Sequence, residues 1–227
     1  MTDSPTPFHI VFLLFGGITQ LDFTGPAQVL SRIPGAMVHT AAKAVQPIET
    51  DSGFAILPST NFPDCPQADL LCVPGGFGIR DVIQDEASLQ FLRDQAAGAQ
   101  YVTSVCTGSL ALGAAGLLDG KRATTHWAYT GLLETFGAAH EKARVVQDGN
   151  LVTAGGVTSG IDFALTVVAE IAGQQLAESI QLSLEYDPHP PFNSGHPDVA
   201  DPAVLKLLQE RVYARQASEL AHIIDRL

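Results

Sequence analysis

The chain has 227 residues, 24 acidic against 12 basic side chains for a net charge of −12, three cysteines, 46% hydrophobic residues and 16% charged ones. At this length one core can bury roughly 70% of the surface an unfolded chain exposes, so a single domain over 1–227 is expected without disulfides or a structural metal. The acidic balance argues against nucleic acid, which needs clustered Lys and Arg, and the odd, irregularly spaced Cys65, Cys72 and Cys106 make neither a disulfide framework nor a CxxC site, so a cytoplasmic protein is expected.

The chain opens on residues 1–15, which carry Asp3, lack a basic start and hold an apolar run of only six residues, 10–15, too short for a signal peptide. No later window approaches the ~18 apolar residues of a membrane span. The first element is therefore a buried strand over 9–15, HIVFLLF. A helix is expected near Gly25 and Pro26, with Thr24 as its cap. Residues 37–42 and 54–58 predict strands, the second at an edge. DLLCV, 69–73, predicts a central strand that stops at the turn sequence PGGFG, 74–78.

Leu89, Phe91, Leu92 and Ala96 give a helical stripe, and YVTSV, 101–105, predicts the next buried strand, followed at once by Cys106. Small residues over 107–118 predict a closely packed helix. A strand over 122–126 and a helix over 127–136 come next. RVVQ-DG-NLVTA, 144–154, predicts a hairpin turning at Asp148 and Gly149. A helix is expected over 157–171 with Thr158 or Ser159 as cap, then a Pro-rich loop over 187–201 and an amphipathic helix from Ala203 onward. This alternation predicts an α/β fold with a mostly parallel sheet covered by helices, its core over about 8–190 and a helical extension over about 200–227.

The segment SVCTG, 104–108, runs from strand through cysteine into helix with small residues two before and two after. That is the spacing of a nucleophile elbow, whose sharp turn crowds both flanking positions. A thiol there sits at a helix N-terminus, where thiolate is favoured. Most cysteines are simply small buried hydrophobes, which is the reading for Cys65 and Cys72; the elbow context favours a nucleophile at Cys106. Asp22 follows the first strand, and the carboxyl ends of parallel strands share one crevice, so it can meet Cys106 there. As an Asp near a helix start it can equally be an N-cap, and both readings stand. The PGGFG loop lies in the same crevice, where Gly75, Gly76 and Phe77 are candidate backbone donors to a reacting oxygen; the other reading is a tight turn. No dinucleotide fingerprint occurs. No two of the seven histidines have metal-ligand spacing on a helix, so no metal is expected. His126 can face the crevice, although a core or interface role is expected of it.

The segments QLDFTGP, PGGFG, TSVCTGSLALGAAGLLDGKRATTHW and DGNLVTAGGVTSGIDFAL, in this order, resemble the ThiJ/PfpI family within the class I glutamine amidotransferase-like superfamily. The resemblance implies a flavodoxin-like three-layer sandwich, a cysteine on an elbow, a homodimer and no cofactor. Members with protease or glyoxalase-type activity typically carry Glu after strand one and often His after the cysteine; here those positions hold Asp22 and Thr107. Together with ATTHW and the EYDPHPPFNSGHPD loop, this pattern is similar to members that hydrate isocyanides. The implied roles are Cys106 attacking the terminal carbon of R–N≡C, Asp22 as general acid and base, and Thr107 hydrogen-bonding the intermediate or its water. Gly75, Gly76, Phe77 and Val157 would surround the substrate, and water and the isocyanide would be the reactants. A glyoxalase or stress-response protein, and a ligand or redox sensor that does not bind DNA, are the competing expectations.

Overall fold

Along β1 (Phe8–Leu13), Ile10 and Phe12 point to one face and Val11 and Leu13 to the other, and all four are fully buried. A strand apolar on both faces needs a helical layer on each. The structure, a computed structural model, describes residues 6–227; Asp3 and the start of the candidate leader lie outside the described residues.

After β1 come α1 (Gln20–Leu30), β2 (Ala36–Ala42), a small ribbon of β3 (Ile48–Glu49) with β4 (Ala55–Ile56), and the short β5 (Thr60–Asn61). The middle of the chain supplies β6 (Leu70–Val73), the single turn α2 (Ile79–Val82), α3 (Glu86–Gly98), β7 (Tyr101–Val105) and α4 (Gly108–Ala114). A parallel pair follows, β8 (Arg122–Ala123) with β9 (Ala139–His140), around two 3₁₀ turns; then come the hairpin β10 (Val145–Asp148) and β11 (Leu151–Ala154), α5 (Ser159–Ala172) and α6 (Gln174–Ser183). The carboxy-terminal segment is α7 (Pro202–Leu208), a π turn over Gln209–Tyr213, and α8 (Ala214–Ile224).

The main sheet has seven strands in the order β10-β11-β7-β6-β1-β2-β5, with β10 alone antiparallel. Ile10 and Phe12 pack under Val29 and Leu30 of α1, Phe163 and Val167 of α5 and Ile180 of α6. Val11 and Leu13 pack with Leu89 and Leu92 of α3, Leu110 of α4 and Leu220 and Ile224 of α8. The chain moves outward from β1 through β2 to β5 and then crosses to β6 on the other side of β1. Between β1 and β6 lies the switch point, where open α/β sheets form their crevice.

Several boundaries differ from the sequence expectation. Ile18 forms isolated bridges to Thr50 and Gly76, which end the extended stretch early, so α1 starts at Gln20. Thr24 is thus not a cap; inside the helix its hydroxyl donates to Gln20 Oε1 at 2.8 Å. Residues 54–58 hold only β4, outside the main sheet, and β5 takes the edge. The expected helix over 107–118 ends at Ala114, shortly before Gly116 at φ +79°. The strand expected over 122–126 stops at Ala123 because the Thr124 N–H goes to the Thr153 hydroxyl at 2.9 Å. The segment after it folds as 3₁₀ turns rather than an α-helix. In the hairpin Asp148 still pairs with Leu151, so the turn residues are Gly149 and Asn150, one position later than expected. Helix α6 had no counterpart among the expected elements.

Candidate active site

Four carboxyl ends of neighbouring parallel strands converge here: β1 leads to Asp22, β6 to Gly75 and Gly76, β7 to Cys106 and β11 to Val157. Cys106 has φ +57°, a conformation an L-residue adopts only when its surroundings enforce it. Its N–H donates to the carbonyls of Ala154 and Gly155 at 3.1 and 2.8 Å, and its own carbonyl accepts from the Thr125 hydroxyl at 2.9 Å. Gly108, two residues on, lies so close to β6 that a Cβ there would stand 1.9 Å from the Val73 carbonyl oxygen. The turn sterically requires that small residue.

Asp22 is in the first turn of α1 and fully buried. It does not cap the helix. Its Oδ2 accepts from the Gly75 N–H at 3.0 Å, while Oδ1 is buried without a partner of hydrogen-bond geometry and Cys106 is the side chain within reach of the carboxyl. A Cβ at position 75 would meet Thr107 N at 2.6 Å and Asp22 Oδ2 at 2.9 Å, so only glycine permits this approach. The Thr107 hydroxyl accepts from the Gly76 N–H at 3.1 Å. The N–H groups of Gly75 and Gly76 thus orient Asp22 and Thr107 instead of pointing at the pocket.

Burial pushes the Asp22 carboxyl up to about 7, against the smaller opposing pull of the Gly75 N–H and the Cys106 thiol. Burial, and then the charge of Asp22, push the Cys106 thiol well above its usual range, more than the Thr107 N–H offsets. The depressed thiol expected at a helix start is therefore not found, because desolvation and a neighbouring carboxyl outweigh the helix field. Two anions in contact in a dry site cannot both form cheaply, so the pair loses one proton near pH 7 and keeps the second far into the alkaline range.

Cys106 and Thr107 open onto a cavity of about 400 Å³ that Gly76, Phe77 and Val157 also line. Asp22 and Gly75 lie behind this lining. His126, which the sequence allowed to face the crevice, lines it together with Tyr129, Tyr213 and Gln216, which carried no expected site role. Burial holds His126 down at about 4, so the imidazole is neutral, and it accepts from the Ala128 N–H at 3.3 Å through Nδ1. Tyr129 donates to Gln216 Oε1 at 2.7 Å, and Arg80 pairs with Glu219 at 3.6 Å, both at the cavity lining. The spacing 213, 216, 220 places these carboxy-terminal residues on one helical face, the only sequence signal they leave. Among the described residues no three His, Cys, Asp or Glu side chains gather as metal ligands, and no helix is long and apolar enough to cross a membrane.

The isonitrile hydratase of Pseudomonas putida is 55% identical over 89% of this chain and 89% of its own length. The Parkinson disease protein 7 homolog of Danio rerio is 27% identical over 76% of this chain and 94% of its own. The HTH-type transcriptional regulator GbdR of Pseudomonas aeruginosa is 29% identical over 80% of this chain but only 51% of its own. A ThiJ/PfpI family protein from Pseudomonas syringae superposes with a TM-score of 0.94 at 41% identity, covering 99% of this chain and 94% of that one. The Drosophila melanogaster DJ-1beta structure follows at 0.70 and 25% identity, covering 79% and 98%. The model of the DJ-1/PfpI family matches residues 9–170. With a strained cysteine on an elbow between β7 and α4, and a family match that covers all seven strands of the main sheet except the first residue of β1, the chain belongs to the DJ-1/PfpI family.

Proposed function

We propose that this protein hydrates isocyanides, also called isonitriles, to N-substituted formamides. The observation that carries this reading is the contact of the elbow thiol Cys106 with a buried carboxyl, Asp22, that keeps a proton near neutral pH. The likeness to the Pseudomonas putida isonitrile hydratase supports it.

In the singly ionised pair the charge moves to sulfur as the substrate enters. The thiolate of Cys106 attacks the terminal carbon of R–N≡C, forming a C–S bond, and that carbon takes the proton held by Asp22 to give the thioimidate R–N=CH–S. Water then adds to the same carbon while Asp22 accepts one of its protons. The other water proton reaches nitrogen, the C–S bond breaks, and R–NH–CHO leaves with thiolate and protonated Asp22 restored. Thr107, which accepts from the Gly76 N–H, would hydrogen-bond the intermediate or the incoming water, and Phe77 and Val157, which line the same cavity, would bound the space for R. Each step is acid–base or nucleophilic chemistry that a thiol and one carboxyl perform.

The test mixes purified protein with an aryl or alkyl isocyanide and follows formamide formation for wild type, Cys106→Ala and Asp22→Asn. Turnover is expected to fall by about 10²-fold or more in both variants. Absence of wild-type turnover, or full activity in Cys106→Ala, would overturn the proposal, and lactate formed from methylglyoxal at comparable efficiency would replace it with the glyoxalase reading. A cytoplasmic homodimer is part of the same proposal. Leu182 of α6 and Phe192 expose apolar surface that a second copy would cover, and a monomer mass by light scattering would remove that part.

A further inference from the structure

The wall of the thiol cavity farthest from the elbow in sequence is aromatic. Tyr213 stands edge-on to Trp127 with ring centroids 5.1 Å apart and an interplanar angle of 77°, and edge-on to Tyr129 at 6.0 Å and 87°. Its ring also lies 5.1 Å from that of His126. Edge-to-face contacts on two sides fix the plane of a ring that would otherwise turn freely at a half-buried position. The backbone is specialised at the same point, because Tyr213 closes the π turn between α7 and α8, and single π turns inside helices frequently accompany function. The Tyr129–Gln216 hydrogen bond and the Arg80–Glu219 pair tie the following turns of α8 to the rest of the cavity. Neutral His126 adds no positive charge, Arg80 and Glu219 at the lining are paired with each other, and Asp51 leaves the lining without a net positive charge to hold an anion.

We propose that Tyr213, carried into the thiol cavity by the carboxy-terminal helical segment, is a specificity residue that selects aromatic over saturated rings as the N-substituent of the substrate. This rests on the isocyanide reading of the site. The elbow performs the same chemistry on any R–N≡C, so discrimination must come from groups that touch R. An aromatic substituent offers its ring edge and face to the Tyr213 quadrupole, whereas a cyclohexyl group of similar volume offers only apolar surface.

The experiment measures kcat and KM with phenyl isocyanide and cyclohexyl isocyanide for wild type, Tyr213→Phe and Tyr213→Leu. Intrinsic differences in reactivity cancel when the phenyl-to-cyclohexyl ratio of kcat/KM is compared between variants. Tyr213→Leu is expected to lower that ratio by roughly tenfold, mainly through KM, as loss of a good aromatic contact implies, while Tyr213→Phe keeps it within about twofold. An unchanged ratio in Tyr213→Leu, with the wild type active, would overturn the selection and leave the hydratase reading standing. A wild type that hydrates neither compound would overturn the hydratase reading, and this one with it. Binding supplies a second readout through the chain's one tryptophan. N-phenylformamide titrated into Cys106→Ala is expected to change Trp127 fluorescence saturably, the change weakening about tenfold when Tyr213→Leu is added; equal binding in both backgrounds would contradict the proposal.

Discussion

The floor of the cavity and its aromatic wall are built on different terms. At the floor Asp22 is wholly buried, Thr107 nearly so, and each is held by a backbone N–H of the 75–76 glycine pair, beside a cysteine locked at φ +57°. At the wall Tyr213, Gln216 and Glu219 come from the carboxy-terminal segment, stay partly exposed, and are tied to other elements through the Tyr129–Gln216 hydrogen bond, the Arg80–Glu219 pair and ring contacts. Chemistry that depends on a shared proton needs a dry, rigid setting. Recognition of a variable substituent does not, and can be carried by groups that adjust.

Perturbations of the two regions should differ accordingly. Cys106→Ala is expected to reduce formamide formation by about 10³-fold or more, since it removes the thiol proposed to attack the substrate; residual turnover near the wild-type rate, measured by product chromatography, would place the chemistry elsewhere. Asp22→Asn should reduce kcat by about 10²- to 10⁴-fold, the usual weight of a general acid–base group. It should also raise stability at alkaline pH. A carboxyl whose folded value, about 7, lies above its ordinary 3.8 favours the fold below about pH 4. That contribution is lost as pH rises through 7, because the buried group must then ionise. The shift sets a ceiling of about 4 kcal/mol, so thermal melts should show Asp22→Asn gaining on wild type between pH 5 and pH 8.5. No pH dependence of that gap would mean the carboxyl is not desolvated.

Two smaller changes sharpen the comparison. Gly108→Ala, which drives a methyl into the Val73 carbonyl, should destabilise by about 3 kcal/mol or more in denaturant titrations. Tyr129→Phe removes only the bond to Gln216 and should cost about 1 kcal/mol, with kcat altered less than about threefold. Equal losses from the two would erase the distinction between floor and wall.

The floor was legible in the sequence because its determinants are local. Ser104 and Gly108 flank Cys106 within one turn, and the PGGFG loop directly follows a strand, so residue type and spacing carry the geometry. Asp22 was visible, but its function was left open between base and cap until the structure showed α1 starting at Gln20, two residues before it. The donors of Gly75 and Gly76 were assigned to the substrate, since sequence cannot show which acceptor a buried N–H meets. The wall was not legible, because Tyr213 and His126 meet only through tertiary packing across 87 positions of chain, and the 213, 216, 220 spacing marks a face without naming its partner. The hairpin slipped by one residue for a similar reason. Asp148-Gly149 and Gly149-Asn150 are both good turn pairs, and the ladder to Leu151 decides between them.

The pH dependence of isocyanide hydration by the wild-type enzyme tests the shared-proton pair most directly. For phenyl isocyanide, kcat/KM is expected to rise as one group ionises near pH 7, the value to which burial lifts Asp22, and Asp22→Asn is expected to lose this transition. A rate that instead rises only at the ordinary thiol value, or a transition near 7 that survives Asp22→Asn, would contradict it.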